Sequence, residues 1–492
     1  MRCLLFCCLL STFGYSADKP DILMIAVDDL RPMLGCYGDK NIKTPNIDQL
    51  AASGTLFERA YCQYAKCGTS RLSLLTGLRP DAIGVFSNRD KDVADFRNQN
   101  PNLKPIGQWF KENGYITRSF GKIYHDGWDN PADWSEPAAP GRPGEMLEIV
   151  DPENPSGPTI IADRFACPVM QSPDVPDEHL FAGRMTRDVM SLIAEPSEKP
   201  RFIAIGYRRP HLPFVAPKTY YDLYQPDATW LTRFPSPPEN VFPVAWFNSD
   251  GYQGAARKAG LTIPNPPNRE QAIAWNGYEM RSYQGVRKNG RLTESDQLTY
   301  IHAYAACVSY IDAQIGKVMR ALEKSKKKDN TVVVLWSDHG WHLGEHSAWG
   351  KMTNYEIATR VPLIFKGPGI QARRTSSFAE LVDIYPTLCR LSRIEMPTHL
   401  EGDDISNQLI EAVPNSVKTA AYSQYSRYNG KYTGRAVRTD RFRYIAWYDR
   451  DKNLIAEEYY DAFEDPGETK NLIDQLDEDK IIECRSWLRK SK

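Results

Sequence analysis

Three continuous apolar runs constrain the fold of this chain more than any other feature of its sequence. They span Asp21–Val27, Arg201–Gly206 and Thr331–Trp336, with Tyr115–Phe120 as a weaker example. Apolar runs without polar alternation are typical of strands that are covered on both faces of a sheet. Helical patterns at residues 44–54 and 298–322 lie between them. This alternation of strands with helices predicts an α/β fold.

Charged or histidine side chains follow each of the three runs. Asp28 and Asp29 follow the first run, His211 follows the second, and Asp338 and His339 follow the third. Open α/β sheets bind ligands beyond the carboxyl ends of their strands, so we expect these side chains to converge. Adjacent carboxylates repel each other unless a cation lies between them, and their oxygens suit calcium or magnesium.

Further basic candidates lie on other segments. Lys122 and His125 come directly after the weaker run, and Lys351 lies on a loop punctuated by glycines. The alternative interpretation is a solvated lysine and a histidine in a turn. Their position after a strand makes Lys122 and His125 candidates for the same site.

The segment 66–80 predicts a cysteine at the start of a short helix. Thr69 or Ser70 can cap the helix start, and Gly77 marks its end. A helix N-terminus is expected to lower the pKa of a nearby thiol. A purely structural Cys67 beside a capped helix is the alternative.

The same segment resembles the signature of the type I sulfatases, Cys-x-Pro-Ser-Arg followed by x-x-x-Leu-Thr-Gly. Cys67, Ser70, Arg71 and the Leu-Thr-Gly at residues 75–77 match it, whereas Thr69 stands where that family usually has proline. Further segments resemble the iduronate-2-sulfatase subgroup: Val27–Asp39, Gly121–His125, Gly206–His211, Ser337–His346 and Ala421–Tyr425. The resemblance implies an alkaline phosphatase-like fold, with a large, mixed, mostly parallel sheet flanked by helices and a smaller C-terminal antiparallel sheet with a helix.

The resemblance also implies a cofactor set. In that family a formylglycine-generating enzyme oxidises the signature cysteine to formylglycine, here Cys67. One Ca²⁺ would be held by five residues: Asp28, Asp29, Cys67, Asp338 and His339.

The implied reaction is hydrolysis of an O-sulfate ester of a carbohydrate. Arg71 would orient the formylglycine, and Lys122 and Lys351 would bind the sulfate oxygens. His125 would support the hydrated aldehyde, and His211 would protonate the departing sugar oxygen. The subgroup implies a 2-O-sulfated uronic acid in a glycosaminoglycan, and a sulfated plant or algal polysaccharide stays open as an alternative.

The domain organisation follows from changes in composition. Strand patterns at Arg435–Thr439 and Arg443–Tyr448, and a helical pattern at residues 474–488, predict an α+β subdomain over residues 413–492. A catalytic domain would span residues 18–412 and close with a helix at Ala379–Leu388.

The N-terminal residues 1–17 combine a positive charge, a short apolar run and small residues near Ala17, which predicts a cleaved signal peptide and a secreted or periplasmic protein. An N-terminal helix or membrane anchor is the alternative. No other segment is apolar enough for stable membrane insertion.

Six cysteines besides Cys67 lie beyond residue 17, an even number compatible with disulfides. The net charge of −1 argues against a nucleic-acid partner.

Three alternatives for the site stay open. A phosphohydrolase of the same superfamily would use Thr69 or Ser70 as nucleophile. An unmodified Cys67 would leave a protein that binds sulfated sugars without cleaving them. His342 and His346, four residues apart, are candidates for a zinc site, with exposed loop histidines as the default. Two long stretches, residues 126–176 and 225–268, are predicted to form the walls of a substrate pocket.

Overall fold

The computed structural model describes residues 18–137, 167–258, 260–264, 267–412 and 418–489. The predicted signal peptide, most of the first long stretch and the start of the predicted C-terminal subdomain lie outside the described residues. The predictions made for those segments therefore stay predictions.

The strands of the described residues are numbered in chain order. They are β1 (Asp21–Val27), β2 (Thr55–Tyr61), β3 (Ile116–Gly121), β4 (Met170–Gln171), β5 (Arg201–Tyr207), β6 (Phe214–Val215), β7 (Thr331–Ser337), β8 (His342–Leu343), β9 (Trp349–Gly350), β10 (Arg360–Val361), β11 (Leu363–Lys366), β12 (Arg373–Glu380), β13 (Ala420–Arg427), β14 (Tyr432–Thr439), β15 (Phe442–Asp449) and β16 (Leu454–Asp461).

The α-helices are numbered in the same way. They are α1 (Pro45–Ala52), α2 (Cys67–Thr76), α3 (Pro80–Ile83), α4 (Asp90–Gln99), α5 (Ile106–Glu112), α6 (Phe181–Ala194), α7 (Lys218–Tyr221), α8 (Pro243–Trp246), α9 (Gln253–Lys258), α10 (Arg269–Trp275), α11 (Tyr278–Arg281), α12 (Glu294–Lys324), α13 (Glu356–Thr359), α14 (Ile384–Leu391), α15 (Asn407–Ile410) and α16 (Glu478–Arg489).

The central sheet is mixed, as predicted for an α/β fold. Its strand order is β10-β2-β11-β7-β1-β5-β3, with β12 paired to β2. The pairs β7/β1, β1/β5, β5/β3 and β12/β2 are parallel, whereas β11 and β10 run antiparallel to their neighbours.

Helices cover both faces of this sheet. Leu23, Ile25 and Val27 of β1 belong to the core that α6 and α12 complete on one face. Ile22 and Met24 point into the core on the other face, which α2, α5 and α14 cover. Successive residues of a strand point to opposite faces, and both faces are covered, so β1 is apolar from residue 22 to residue 27.

One predicted helix is wrong in its first part. Ala379 and Glu380 end β12, where they pair in parallel with β2, and the α-helix begins only at Ile384. The Glu380 carboxylate is bound by Arg79 and Lys418. Strand pairing and these contacts override the helical pattern.

A second sheet, β13-β14-β15-β16, is antiparallel and carries α16 on one face, as predicted. Its other face packs against residues from the second long stretch, including Trp246 and Phe247. That stretch contains the short helices α8 and α9 and is not wholly irregular. The boundary at residues 412–413 stays a prediction.

The possibility of disulfides is not realised in the described residues. No disulfide is found among the six described cysteines other than Cys67, which are Cys36, Cys62, Cys167, Cys307, Cys389 and Cys484. Five of these six are buried, which is usual for cysteines that serve as small apolar side chains. None of the described helices combines the length and apolarity needed to cross a bilayer.

Candidate active site

The carboxyl ends of four parallel strands meet at one edge of the central sheet. β7, β1, β5 and β3 are consecutive neighbours there. The residues that follow them emerge together, as the sequence indicates: Asp28, Asp29, Lys122, His125, His211, Asp338 and His339.

The backbone of Asp29 is held in a left-handed conformation, with φ of 61°. Its N–H donates to Asp338 Oδ1 at 3.2 Å, and its carbonyl accepts from the Tyr304 hydroxyl at 2.8 Å. Strained residues of this kind persist where the surrounding structure fixes them, and they cluster at functional sites. The turn lets the neighbouring Asp28 and Asp29 contribute oxygens to one cluster.

Cys67 is the first residue of α2, and the whole helix is buried. The predicted cap is wrong: the N-cap is Lys66, without a side-chain hydrogen bond. Thr69 Oγ1 donates to the carbonyl of Val85 and Ser70 Oγ to that of Asp338, so both hydroxyls are occupied away from the helix start. These contacts disfavour Thr69 and Ser70 as nucleophiles.

The expected lowering of the Cys67 pKa is also wrong. Burial raises the pKa of the thiol well above its usual value, and the Asp28 carboxylate raises it further. The helix N-terminus and the nearby Lys122 and Lys351 do not compensate. An unmodified Cys67 is therefore a neutral thiol and a weak nucleophile.

Four side chains form a cluster that can hold a metal ion. Asp28, Asp29, Cys67 and His339 each offer one donor atom, and these atoms lie within 4.8 Å of one another. Asp28 Oδ1 is buried without a hydrogen-bond partner among the described residues. A buried carboxylate oxygen that accepts no hydrogen bond fits a cation. With a thiol the set mixes hard and soft donors, whereas an oxygen at position 67 would shift it toward a hard ion.

Asp338 lies beside this cluster rather than in it. Its Oδ2 accepts from Arg71 Nε at 2.9 Å and stands 3.6 Å from His339 Nε2. Its Oδ1 accepts from the backbone N–H groups of Asp29 and His339. Whether Asp338 is a metal ligand stays a prediction.

Three buried cations surround the cluster. Lys122 Nζ donates to Asp28, and Lys351 Nζ lies 2.8 Å from Asp29 Oδ1 and 3.4 Å from Cys67 Sγ. The Arg71 guanidinium stands 3.3 Å from Asp28 Oδ1 and donates to the carbonyl groups of Lys122 and Ile123.

Burial and this crowding set the protonation states. Burial lowers the pKa of Lys351, but Asp29 and Cys67 raise it more, so that it lies well above its usual value. Burial likewise raises the pKa of Asp28, but Lys122, His211 and Arg71 together lower it more, and Asp28 is held ionised. Burial raises the pKa of Asp29, and three neighbouring carboxylates keep it high against the effect of Lys351.

The histidines are neutral in this environment. Burial, followed by the charge of Lys122, lowers the pKa of His125 to about 3. Burial and then Lys351 lower the pKa of His211 well below its usual value. Burial lowers that of His339 to about 4. A neutral imidazole can accept a proton or bind a metal.

Sequence reasoning missed two residues of the site. Glu279, on α11, has its Oε1 3.5 Å from both His211 Nε2 and Lys351 Nζ. Asn248 Nδ2 donates to the carbonyl of Lys351 at 3.0 Å. Neither residue follows a strand, but Asn248 lies in the second long stretch, where we expect a pocket wall.

His342 and His346 are buried, so the default expectation of exposed loop histidines is wrong. His342 Nε2 lies 2.9 Å from Thr353 Oγ1, and His346 Nε2 lies 2.8 Å from the carbonyl of Gly467. Neither belongs to a cluster of three candidate ligands within the described residues.

Comparison with known families gives two overlapping matches. The sulfatase family profile matches residues 20–394. A profile described as N-sulphoglucosamine sulphohydrolase, C-terminal, matches residues 344–489. The iduronate 2-sulfatase of Mus musculus is 32% identical over an alignment that covers 93% of this chain and 92% of that protein.

Solved structures share the fold. A 2-O GAG sulfatase is 24% identical, with a TM-score of 0.67, over 96% of this chain and 92% of its own. The phosphonate monoester hydrolase of Agrobacterium radiobacter is 21% identical, with a TM-score of 0.71, over 96% of this chain and 94% of its own. These neighbours confirm the predicted alkaline phosphatase-like architecture.

Proposed function

The chain belongs to the sulfatase family of sulfuric ester hydrolases, and from that premise we propose that it cleaves the 2-O-sulfate ester of a uronic acid. The sugar would lie in a glycosaminoglycan or another sulfated polysaccharide. The cluster at Cys67, in which buried lysines pair with carboxylates that can hold a metal ion, is the observation that carries the proposal. The name of the mouse relative supports the choice of sugar.

We propose Ca²⁺ as the metal and formylglycine as the mature form of Cys67. Asp28, Asp29, residue 67 and His339 would hold the ion, with Asp338 adjacent. The hydrated aldehyde would supply one hydroxyl to attack sulfur and a second to release sulfate. An unmodified thiol has no hydroxyl that could release the sulfate, and the neutral Cys67 is poorly suited to attack sulfur.

The buried cations would bind and stabilise the sulfate oxygens. Lys122 and Lys351 would act as point charges. Arg71 donates to Asp338 and to the carbonyl groups of Lys122 and Ile123, and we propose that from this fixed position it orients the formylglycine. Charge that develops on the sulfate oxygens is stabilised most strongly where water is excluded, and these three side chains are almost wholly buried. Substrate binding would draw the lysines partly away from the carboxylates.

The histidines would move protons. His211 Nε2 lies at the edge of the cluster, 4.0 Å from Asp29 Oδ2, which suits protonation of the departing sugar oxygen. Burial and Lys351 keep His211 neutral before substrate binds, so it would act as the acid only after taking up a proton, which the negative charge of a bound sulfate ester would favour. His125 Nδ1 is buried without a hydrogen-bond partner among the described residues and is available to support residue 67.

The test is a panel of defined sulfated disaccharides assayed with Ca²⁺, with a phosphate ester alongside. We expect turnover of the 2-O-sulfated uronic acid and a lower mass for the peptide that contains Cys67. Cys67→Ala should abolish turnover, whereas Cys62→Ala, which removes a neighbouring buried thiol, should not.

Turnover of the phosphate ester in preference to every sulfate ester would contradict the proposal. An unmodified Cys67 in a protein that binds the sugars without cleaving them would instead support the binding-protein alternative. Secretion through the predicted signal peptide, and maturation by a formylglycine-generating enzyme, belong to the same proposal.

A further inference from the structure

Glu279 is a buried carboxylate to which the mechanism above gives no role. Only 6% of its surface is exposed, and its Oε1 faces His211 and Lys351. Its Oε2 is buried without a hydrogen-bond partner among the described residues. A carboxylate accepts several hydrogen bonds, and a dry, unsatisfied oxygen is costly. The free oxygen indicates a ligand that donates a hydrogen bond.

Contacts made by Gly277 and Asn248 hold the segment that carries Glu279 in place. The preceding Gly277 has φ of 76° and donates its N–H to Asn248 Oδ1 at 2.8 Å. A Cβ at Gly277 would lie 2.7 Å from the Cβ of Trp349, so glycine is required at this close approach. The other end of the Asn248 amide holds the carbonyl of Lys351. One side chain therefore fixes the spacing between the Glu279 segment and the Lys351 segment.

We propose that Glu279 Oε2 accepts a hydrogen bond from the sugar hydroxyl next to the sulfate ester. The inference rests on the proposed function, because it places the departing sugar oxygen beside His211 Nε2. Glu279 Oε1 lies beside the same nitrogen. The two oxygens of a carboxylate are joined through one carbon, and the departing oxygen and the neighbouring hydroxyl are joined through two adjacent ring carbons, so one carboxylate can face both sugar oxygens. In a 2-O-sulfated uronic acid this hydroxyl is at C3.

The negative charge of Glu279 gives the site a second property. A carboxylate repels a sulfate group placed where the C3 hydroxyl should be. The site would therefore discriminate against sugars that carry sulfate on both C2 and C3. Hydrogen bonding to the correct sugar and repulsion of the wrong one would come from one side chain.

The test compares the full-length, Ca²⁺-loaded enzyme with Glu279→Ala and Glu279→Gln. The substrates are a 2-O-sulfated uronic acid disaccharide, its 3-deoxy analogue, its 2,3-di-O-sulfated analogue and 4-nitrophenyl sulfate. We expect the wild type to prefer the 3-hydroxy over the 3-deoxy sugar by about 10-fold or more in kcat/KM, and E279A to lose that preference. E279Q should keep part of it, since an amide oxygen also accepts, but should lose the rejection of the 3-O-sulfate.

The aryl sulfate separates this effect from disturbance of Lys351 and His211, because it has no sugar hydroxyl. Glu345→Ala is the matched control: Glu345 is also buried and pairs with Arg31 at 2.9 Å, and its loss should leave the preference for the 3-hydroxy sugar at the wild-type value. A wild-type preference that persists in E279A, or is absent from the wild type, overturns the inference. A wild type that cleaves no sulfate ester overturns the proposed function itself.

Discussion

The active site and the joint between α13 and the four-stranded sheet are both crowded with buried charge, but their hydrogen bonding differs. At the joint, Arg443 binds Glu356 and Glu468, and Arg438 also binds Glu356. The Tyr61 hydroxyl donates to the second oxygen of Glu356 at 3.0 Å. None of these four charged side chains has an unpartnered buried atom within the described residues.

The active site, in contrast, contains buried polar atoms that make no hydrogen bond. Asp28 Oδ1, Glu279 Oε2 and His125 Nδ1 are buried without hydrogen bonds among the described residues. Buried polar atoms are normally satisfied, and exceptions need an explanation. The difference teaches that a complete ionic network holds structure together, whereas an incomplete one leaves positions for a ligand.

The largest expected effect separates activity from stability at the active site. Asp29→Asn removes a proposed metal ligand, so kcat/KM should fall by about 1000-fold or more. In excess chelator its melting temperature should not fall, because one of several crowded carboxylates is neutralised. Steady-state kinetics and calorimetry measure the two effects. A variant that keeps its activity would show that the site tolerates a missing ligand.

The second prediction concerns the joint. Arg443→Met leaves Glu356 and Glu468 without their main buried partner, so the free energy of unfolding should fall by about 3–5 kcal/mol. The kcat of the remaining folded enzyme should be unchanged. Arg441→Met is the control, since Arg441 is 57% exposed and pairs only at the surface. Equal losses in both variants would refute a special role for the joint.

The third prediction is a pH dependence. Although burial raises the pKa of Glu356, Arg438 and Arg443 lower it more, to about 2. Because this pKa lies below that of the unfolded chain, ionised Glu356 stabilises the fold above about pH 4.5, and the contribution is lost as the pH falls toward 2. The stability difference between wild type and Glu356→Gln should therefore shrink on acidification by about 2–3 kcal/mol. Denaturant titrations at several pH values measure it.

The smallest expected effect has the opposite sign. Burial raises the pKa of Glu458 to about 7, and the carboxyl is surrounded by Tyr355, Trp447 and Tyr460. The contribution of Glu458 to stability should therefore decline as the pH rises from about 4.5 through 7, because Glu458 must then ionise while buried. Glu458→Gln should be more stable than wild type by about 1–2 kcal/mol at about pH 8, with little difference at about pH 5. An equal difference at both values would contradict the assignment.

Much of the site could be predicted because many of its residues directly follow strands of the central sheet. Asp28, His211 and Asp338 follow apolar runs, and the parallel arrangement of those runs makes their ends adjacent. Glu279 and Asn248 could not be found in this way, since loops without periodicity position them. The predicted helix at residues 379–388 begins too early, because a local pattern carries no information about pairing with β2.

Electrostatic expectations failed where burial outweighs a local effect. The helix start at Cys67 suggests a reactive thiol, but burial and Asp28 reverse the direction of its pKa shift. His342 and His346 look like exposed loop residues, yet distant parts of the chain cover them, including Gly467 beside His346. Both errors come from contacts between residues far apart in sequence.

The dual attachment of the Asn248 amide bears on how new specificities can arise in this scaffold. Its oxygen accepts from Gly277, and its nitrogen donates to the backbone of Trp349 and Lys351. Grafting residues 225–268 from a relative would thus alter the attachment of Lys351, the lysine proposed to bind sulfate, along with the proposed pocket wall. A change of substrate selectivity in this segment would therefore also affect turnover. A graft that keeps Asn248 should retain activity more often than one that replaces it.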